Sequence, residues 1–98
     1  MTMYARISTF TTSPDTDLHA NENATMLRVL ANPGCRGMYF LRGTENNTAL
    51  AITLWDSEDS LAGSREASDT IRADTIVEQH LTIVGVEEFE VTTSTFIG

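Results

Sequence analysis

The sequence predicts one α+β domain whose elements run strand–helix–strand–strand–helix–strand. Three observations carry that expectation. Residues 3–12, 36–43, 48–55 and 81–91 are rich in β-branched and aromatic residues, in places alternating with polar ones, as strands do. Residues 16–31 and 57–79 carry helical spacing or helix-start chemistry. The second and third strands are separated only by the turn cluster Thr44-Glu45-Asn46-Asn47, too short for a crossover, so they pair antiparallel.

In the first strand, MYARISTFTT, Tyr4, Arg6, Ser8 and Phe10 share one face and Ala5 and Ile7 the other. Ser13-Pro14-Asp15 marks the turn that follows. The first helix, 16–31, repeats Ala20, Ala24, Leu27 and Ala31 at helical spacing, flanked by Met26 and Leu30. Asn32-Pro33-Gly34 stops it, because proline cannot continue a helix and Asn or Gly suits a left-handed cap. The hairpin of 36–43 and 48–55 ends on Trp55, the one tryptophan. Ser57 is then a good N-cap, and Glu58 and Asp59 suit the positive end of a helix. That second helix is uneven: Leu61, Ala67, Ile71, Ile76 and Val77 share no narrow stripe, and Gly63 or Ser68-Asp69 could divide it. The tail 92–98 is expected either to extend the last strand or to reach a partner as an arm.

This element order is the split βαβ, ferredoxin-like arrangement, a four-stranded antiparallel sheet with both helices on one face. The strands carry apolar residues on both sides. Met38 and Phe40 oppose Tyr39 and Leu41, and Ala49 and Ala51 oppose Leu50 and Ile52. A sheet apolar on both faces needs both covered. With two helices available, the second cover is expected to be another copy's sheet, which makes the chain a homodimer.

Bulk properties narrow the partners. With 98 residues, one domain spanning 1–98 is expected. Such a chain buries only about two-thirds of its unfolded surface, so a second copy adds useful burial. The formal charge of −8 gives no electrostatic footprint for nucleic acid or anionic membrane. No apolar stretch reaches the roughly 20 residues of a membrane helix. The N-terminus lacks the basic start and apolar run of a signal peptide. Cys35 is the sole cysteine, so no internal disulfide forms and a cytoplasmic location is expected. Two distant histidines and one cysteine offer no metal-ligand spacing. There is no glycine-rich phosphate loop or dinucleotide fingerprint. No cofactor is expected.

Two short motifs resemble a known family. Pro33-Gly34-Cys35-Arg36-Gly37 leads into the second strand, and Trp55-Asp56-Ser57-Glu58-Asp59-Ser60-Leu61 steps from the third strand into the second helix. They are similar to the P-G-x-x-G and W-x-S-x-E/D patterns of the antibiotic biosynthesis monooxygenase-type domain. The resemblance implies a dimeric α+β barrel. It also implies, for one branch, oxidation of aromatic phenols or quinols without metal or flavin, in which the substrate itself reduces oxygen after losing a proton. Trp55 matches the family tryptophan that lines the pocket. Leu61 stands where the aromatic-oxidising members carry a tyrosine. The haem-degrading branch fits poorly, since Ser8 and Thr9 replace its first-strand asparagine and His80 comes only after the second helix.

His19 and Asn23, four residues apart, share one face of a helix over 16–31, beside Met26 and Leu30. They are the candidate catalytic pair, His19 as a base near neutral pH. The same spacing suits two boundary residues at the helix edge. Trp55, Tyr39, Met26 and Leu61 are the candidate substrate-binding set; Trp55 fits equally as a core plug or as a pocket wall. Arg65 and Arg72 are expected to pair with neighbouring acids rather than bind a ligand, and Arg6, Arg36 and Arg42, on strands, to sit at rims, the alternative being that one of them holds an anionic phenolate. The expected function is a cofactor-independent monooxygenase acting on a small aromatic phenol or quinol. The alternative is a non-catalytic dimer of the same fold that binds a small apolar molecule or serves a stress or regulatory role.

Overall fold

Alternation along 4–11 places Arg6, Ser8 and Phe10 on one side of a strand and Ala5, Ile7 and Thr9 on the other, and the whole molecule is arranged around that division. The computed structural model describes residues 2–96. Its elements are β1 (Tyr4–Thr11), α1 (Glu22–Leu30), β2 (Cys35–Arg42), β3 (Thr48–Trp55), α2 (Glu58–Gly63), α3 (Arg65–Gln79) and β4 (Thr82–Glu90). The four strands form one antiparallel sheet in the order β2-β3-β1-β4. This is the expected α+β, ferredoxin-like arrangement as an open sheet, with three helices where two were expected.

Two register shifts shape the sheet. One, between Thr9 and Phe10, leaves Val84 as the extra residue of β4. The other lies between Cys35 and Gly37, where β2 enters beside Trp55. Both glycines of the Pro33–Gly37 motif serve this corner. Gly37 takes φ +154° at the bulge, and Gly34 takes φ +82° with its backbone against Ser60 and Asp56. Gly34 O accepts from the Asp56 amide at 2.9 Å. The two motifs read from the sequence therefore touch.

The first helix is shorter than the expected 16–31. Helical periodicity continues through a segment that folds instead as turns. His19 N donates to Asp17 Oδ1 (2.9 Å), Ala20 N to Asp17 O (3.2 Å), and Asn21 adopts a left-handed conformation with φ 59° immediately before Glu22. Leu18 is drawn into the core with Phe10, Ala49 and Leu81, which anchors a loop rather than a helix face. At the other end Asn32 Nδ2 donates to Arg28 O and Val29 O, closing α1 where the sequence predicts a stop. Ser57 caps α2 by accepting from Ser60 N at 3.0 Å, as expected. The second helical segment divides at Ser64, between Gly63 and α3. His80 ends α3 in a left-handed conformation with φ 56°. The tail beyond Val91, whose amide still donates to Met3 O, forms no further strand through 96; residues 97 and 98 of the tail lie outside the described residues.

The helices cover the face bearing Phe10, Phe40, Ala49 and Ala51, where Phe10 and Phe40 stack with centroids 6.3 Å apart. The opposite face, with Ile7, Leu50, Ile52, Leu54, Tyr39 and Leu41, carries no helix among the described residues. Tyr39, Leu41 and Phe89 are exposed there.

Candidate functional site

Between the helices and the sheet the packing is incomplete, and the gap is lined from both sides. Its inner part, about 50 Å³, lies over Arg6, Ser8 and Phe10 of β1, Met38 and Phe40 of β2, and Ala51 and Thr53 of β3. Thr25 and Val29 of α1 and Ser68, Ile71, Arg72 and Thr75 of α3 roof it. A wider outer part, about 330 Å³, is lined by Leu18, Glu22, Asn23, Met26 and Gln79. The two parts share Thr25, Met38 and Phe40, so they adjoin as one cleft. Small side chains make the room. Ser8, Ala51 and Thr53 stand where a fully packed sheet face carries larger residues.

Two arginines reach this space and behave differently. Arg6 is 3% exposed, and every N–H of its guanidinium has a partner. Nε and Nη2 donate to Glu88 Oε2 (3.1 and 2.9 Å), Nη2 also to Leu61 O (2.7 Å), and Nη1 to Ser64 Oγ (3.0 Å) and Ser68 Oγ (2.7 Å). Its guanidinium lies 5.5 Å over the Trp55 ring. The break between α2 and α3 is what brings Ser64 onto it. Arg6 thus belongs to the core, not to a rim. Glu88 also receives Arg65, at 2.6 Å. The hydrogen bonds from Arg65, then those from Arg6 and the charges of both, hold the Glu88 carboxyl below its ordinary range, against the opposing effect of burial.

Arg72 is 13% exposed in its side chain. Nε donates to Ser8 Oγ at 2.9 Å and Nη1 to Asp69 Oδ1 at 2.7 Å. Nη2 has no partner among the described residues. The pairing with a neighbouring acid was expected; the place on the cleft wall was not. A periodicity on α3 was the available signal: Ser68, Ile71, Arg72, Thr75 and Gln79 recur at three- and four-residue steps on one face.

The residues singled out by sequence are dispersed. His19 lies in the turn before α1, its side chain 77% exposed, with Nδ1 2.8 Å from Glu22 Oε2. It does not line the cleft, and because α1 starts at Glu22 it does not share a helix face with Asn23. Asn23 and Met26 line the outer part. Trp55 is 0% exposed and lies behind the wall; Nε1 donates to Thr53 Oγ1 at 2.9 Å, and Thr53 itself faces the cleft. Leu61 is buried in α2 and enters only through its carbonyl, which accepts from Arg6. Tyr39 is exposed on the opposite face, in a hollow shared with Met3, Leu54 and Phe96. Arg6, Arg72, Phe40, Met38, Thr25 and Gln79 are lining residues that the sequence did not single out as a site. Among the described residues no group of three or more His, Cys, Asp or Glu is arranged to hold a metal, and no helix is long and apolar enough to cross a membrane.

A four-stranded antiparallel sheet in this order, roofed by helices over a half-open cleft, defines the class. The chain has the fold of antibiotic biosynthesis monooxygenase-type domains, with full-length coverage. Among solved structures it is similar to a putative antibiotic biosynthesis monooxygenase from Bordetella bronchiseptica, with a TM-score of 0.68 and 14% identity over 97% of this chain and 100% of that one. It is similar to Rv0793 from Mycobacterium tuberculosis, with a TM-score of 0.66 and 19% identity over 98% and 99%. It is also similar to a variant of SnoaB, a cofactor-independent oxygenase from Streptomyces nogalater, with a TM-score of 0.60 and 16% identity over 97% and 96%. No protein-family model matches the chain, and no curated protein matches it by sequence.

Proposed function

We propose that the chain is a small cofactor-independent monooxygenase, acting as a homodimer in the cytoplasm on an aromatic phenol or quinol held in the cleft. One observation carries this reading: Arg72, nearly buried on an otherwise largely apolar wall, keeps guanidinium hydrogens unused. A cation in a largely apolar, aromatic-lined space favours the ionised form of a bound phenol, because an opposite charge lowers a neighbour's pKa. The phenolate is the electron-rich species. The phenol proton leaves by the mouth, where Glu22 is the one carboxylate lining the cleft among the described residues. The anion gives an electron to dioxygen, and a C–O bond forms at an activated methylene of the substrate. One oxygen stays as a carbonyl, and the other leaves as water with the two hydrogens of that carbon. Phe40 and Phe10 supply the flat apolar floor, and the second copy supports the bare sheet face around Leu50, Ile52 and Leu41. The lone Cys35 suits a reducing compartment.

The test is oxygen consumption by the purified protein with a panel of anthrones, quinols and naphthols. Uptake above the uncatalysed rate is expected for at least one. Arg72→Met should then raise KM about tenfold or more, the size of a lost charge-assisted hydrogen bond. A flat response across the panel refutes the enzymatic reading.

A second reading, a non-catalytic binding domain, is favoured by one specific observation: no histidine, tyrosine or cysteine lines the cleft among the described residues. Binding of a panel member without oxygen uptake selects it.

A further inference from the structure

Gln79 ends α3 beneath the outer part of the cleft, 1% exposed. Its Nε2 donates to Ala20 O at 3.2 Å. Only the nitrogen of the amide is a donor, so facing the Ala20 carbonyl fixes the orientation of the group, and Oε1 lies on the other side. That oxygen is buried and has no hydrogen-bond partner among the described residues. Buried amide oxygens are rarely left unmade, because the group has given up water and received nothing. The nearby polar side chains do not repair this: Asn23 and Thr25 line the same space without donating to it.

Gln79 stands two turns along α3 from Arg72, roughly 10 Å along the axis. Thr75 lies between them, and its hydroxyl is already committed to Ile71 O at 2.8 Å. The two parts meet at Phe40, Met38 and Thr25, with Arg72 at one end of the cleft and Gln79 at the other. The two polar ends ask for opposite things, an anionic oxygen at Arg72 and a hydrogen donor at Gln79.

We infer that Gln79 is the specificity-determining residue of the outer cleft and that it selects ligands carrying a hydroxyl or N–H donor at the end remote from their anionic oxygen. The inference rests on the cleft being the ligand site and is independent of whether oxygen chemistry follows. The ligand class it names is an elongated planar molecule with one acidic oxygen and one distal donor. Oε1 is closed to solvent, so the assignment requires the cleft wall at Gln79 to open to such a ligand.

The experiment compares naphthoate with the hydroxynaphthoate that carries one hydroxyl on the distal ring, titrated calorimetrically into the full chain. The wild-type protein should bind the hydroxylated probe about tenfold tighter. Gln79→Met, which keeps the volume and removes the amide, should bind both probes equally, with affinity for naphthoate retained. Should that variant fail to fold, the side-chain amide resonance of Gln79 in the wild-type protein serves instead: it should shift with hydroxynaphthoate and stay still with naphthoate. Equal binding of both probes by the wild-type protein, or a preference that survives in Gln79→Met, overturns the assignment and leaves the cleft standing as a site. Absence of binding by either probe removes both the assignment and the cleft reading.

Discussion

Glu88→Ala separates a structural ion pair from a decorative one. Glu88 is a quarter exposed and pairs on one side with Arg6, which is buried, and on the other with Arg65, which is mostly exposed. Removing the carboxylate leaves the Arg6 guanidinium charged, out of water, and short of two of its hydrogen bonds. Ser64, Ser68, the Leu61 carbonyl and the Trp55 face remain, but none carries a compensating charge. Stripping a partner from a buried ion pair costs about 3–5 kcal/mol, and the partial exposure of Glu88 places the expected loss near the lower end, about 3 kcal/mol. Arg65→Ala removes only an exposed partner and should cost about 1 kcal/mol or less. At roughly 4–8 °C per kcal/mol for a domain of this size, the first variant should melt about 12 °C or more below the wild type. Unfolding followed by Trp55 fluorescence, at one protein concentration throughout, gives both numbers. Acid adds an independent reading. The folded carboxyl is held below its ordinary range, so its contribution is complete above the unfolded value of about 4.3 and fades as pH falls below it. The gap between wild type and Glu88→Ala should therefore narrow between pH 6 and pH 3. Equal losses for Glu88→Ala and Arg65→Ala, or a gap that widens in acid, would refute the account of Arg6 as a core cation.

Two further substitutions probe the backbone. Gly34→Ala places a methyl group against Ser60 and Asp56 at a left-handed residue, so it should destabilise by about 2–5 kcal/mol, measured by denaturant unfolding. His80→Gly should do the reverse, gaining about 0.5–1 kcal/mol in the same assay, because a non-glycine residue at φ 56° carries strain that glycine lacks.

Local features were legible in the sequence, and distant ones were not. The third strand, its turn and the Ser57 cap depend on neighbours within a few residues, and each forms where expected. The first helix began late because Leu18 and the alanines extend the helical pattern through a loop whose path is decided by Asp17 and by the core that receives Leu18. A pattern in one dimension cannot show that a leucine serves a neighbouring layer. The fate of Arg6 was hidden for the same reason: its partners lie between 55 and 82 residues away. Trp55 was expected as either a core plug or a pocket wall, and it is fully buried at the end of β3, behind the cleft lining. Its ring is covered by an arginine that no local pattern pairs with it. Arg72 and Gln79 share a helix face that could be drawn from the sequence. Which neighbours leave their hydrogens or lone pairs unused depends on the sheet beneath them.

The two guanidiniums on the cleft wall divide their duties. One is saturated on all sides and is felt only as folding; the other retains spare valence and is felt at the surface it shows to a guest. Replacement at position 6 should therefore register in melting curves, and replacement at position 72 in dissociation constants. Recognition in this small scaffold can drift without loosening the frame that holds it.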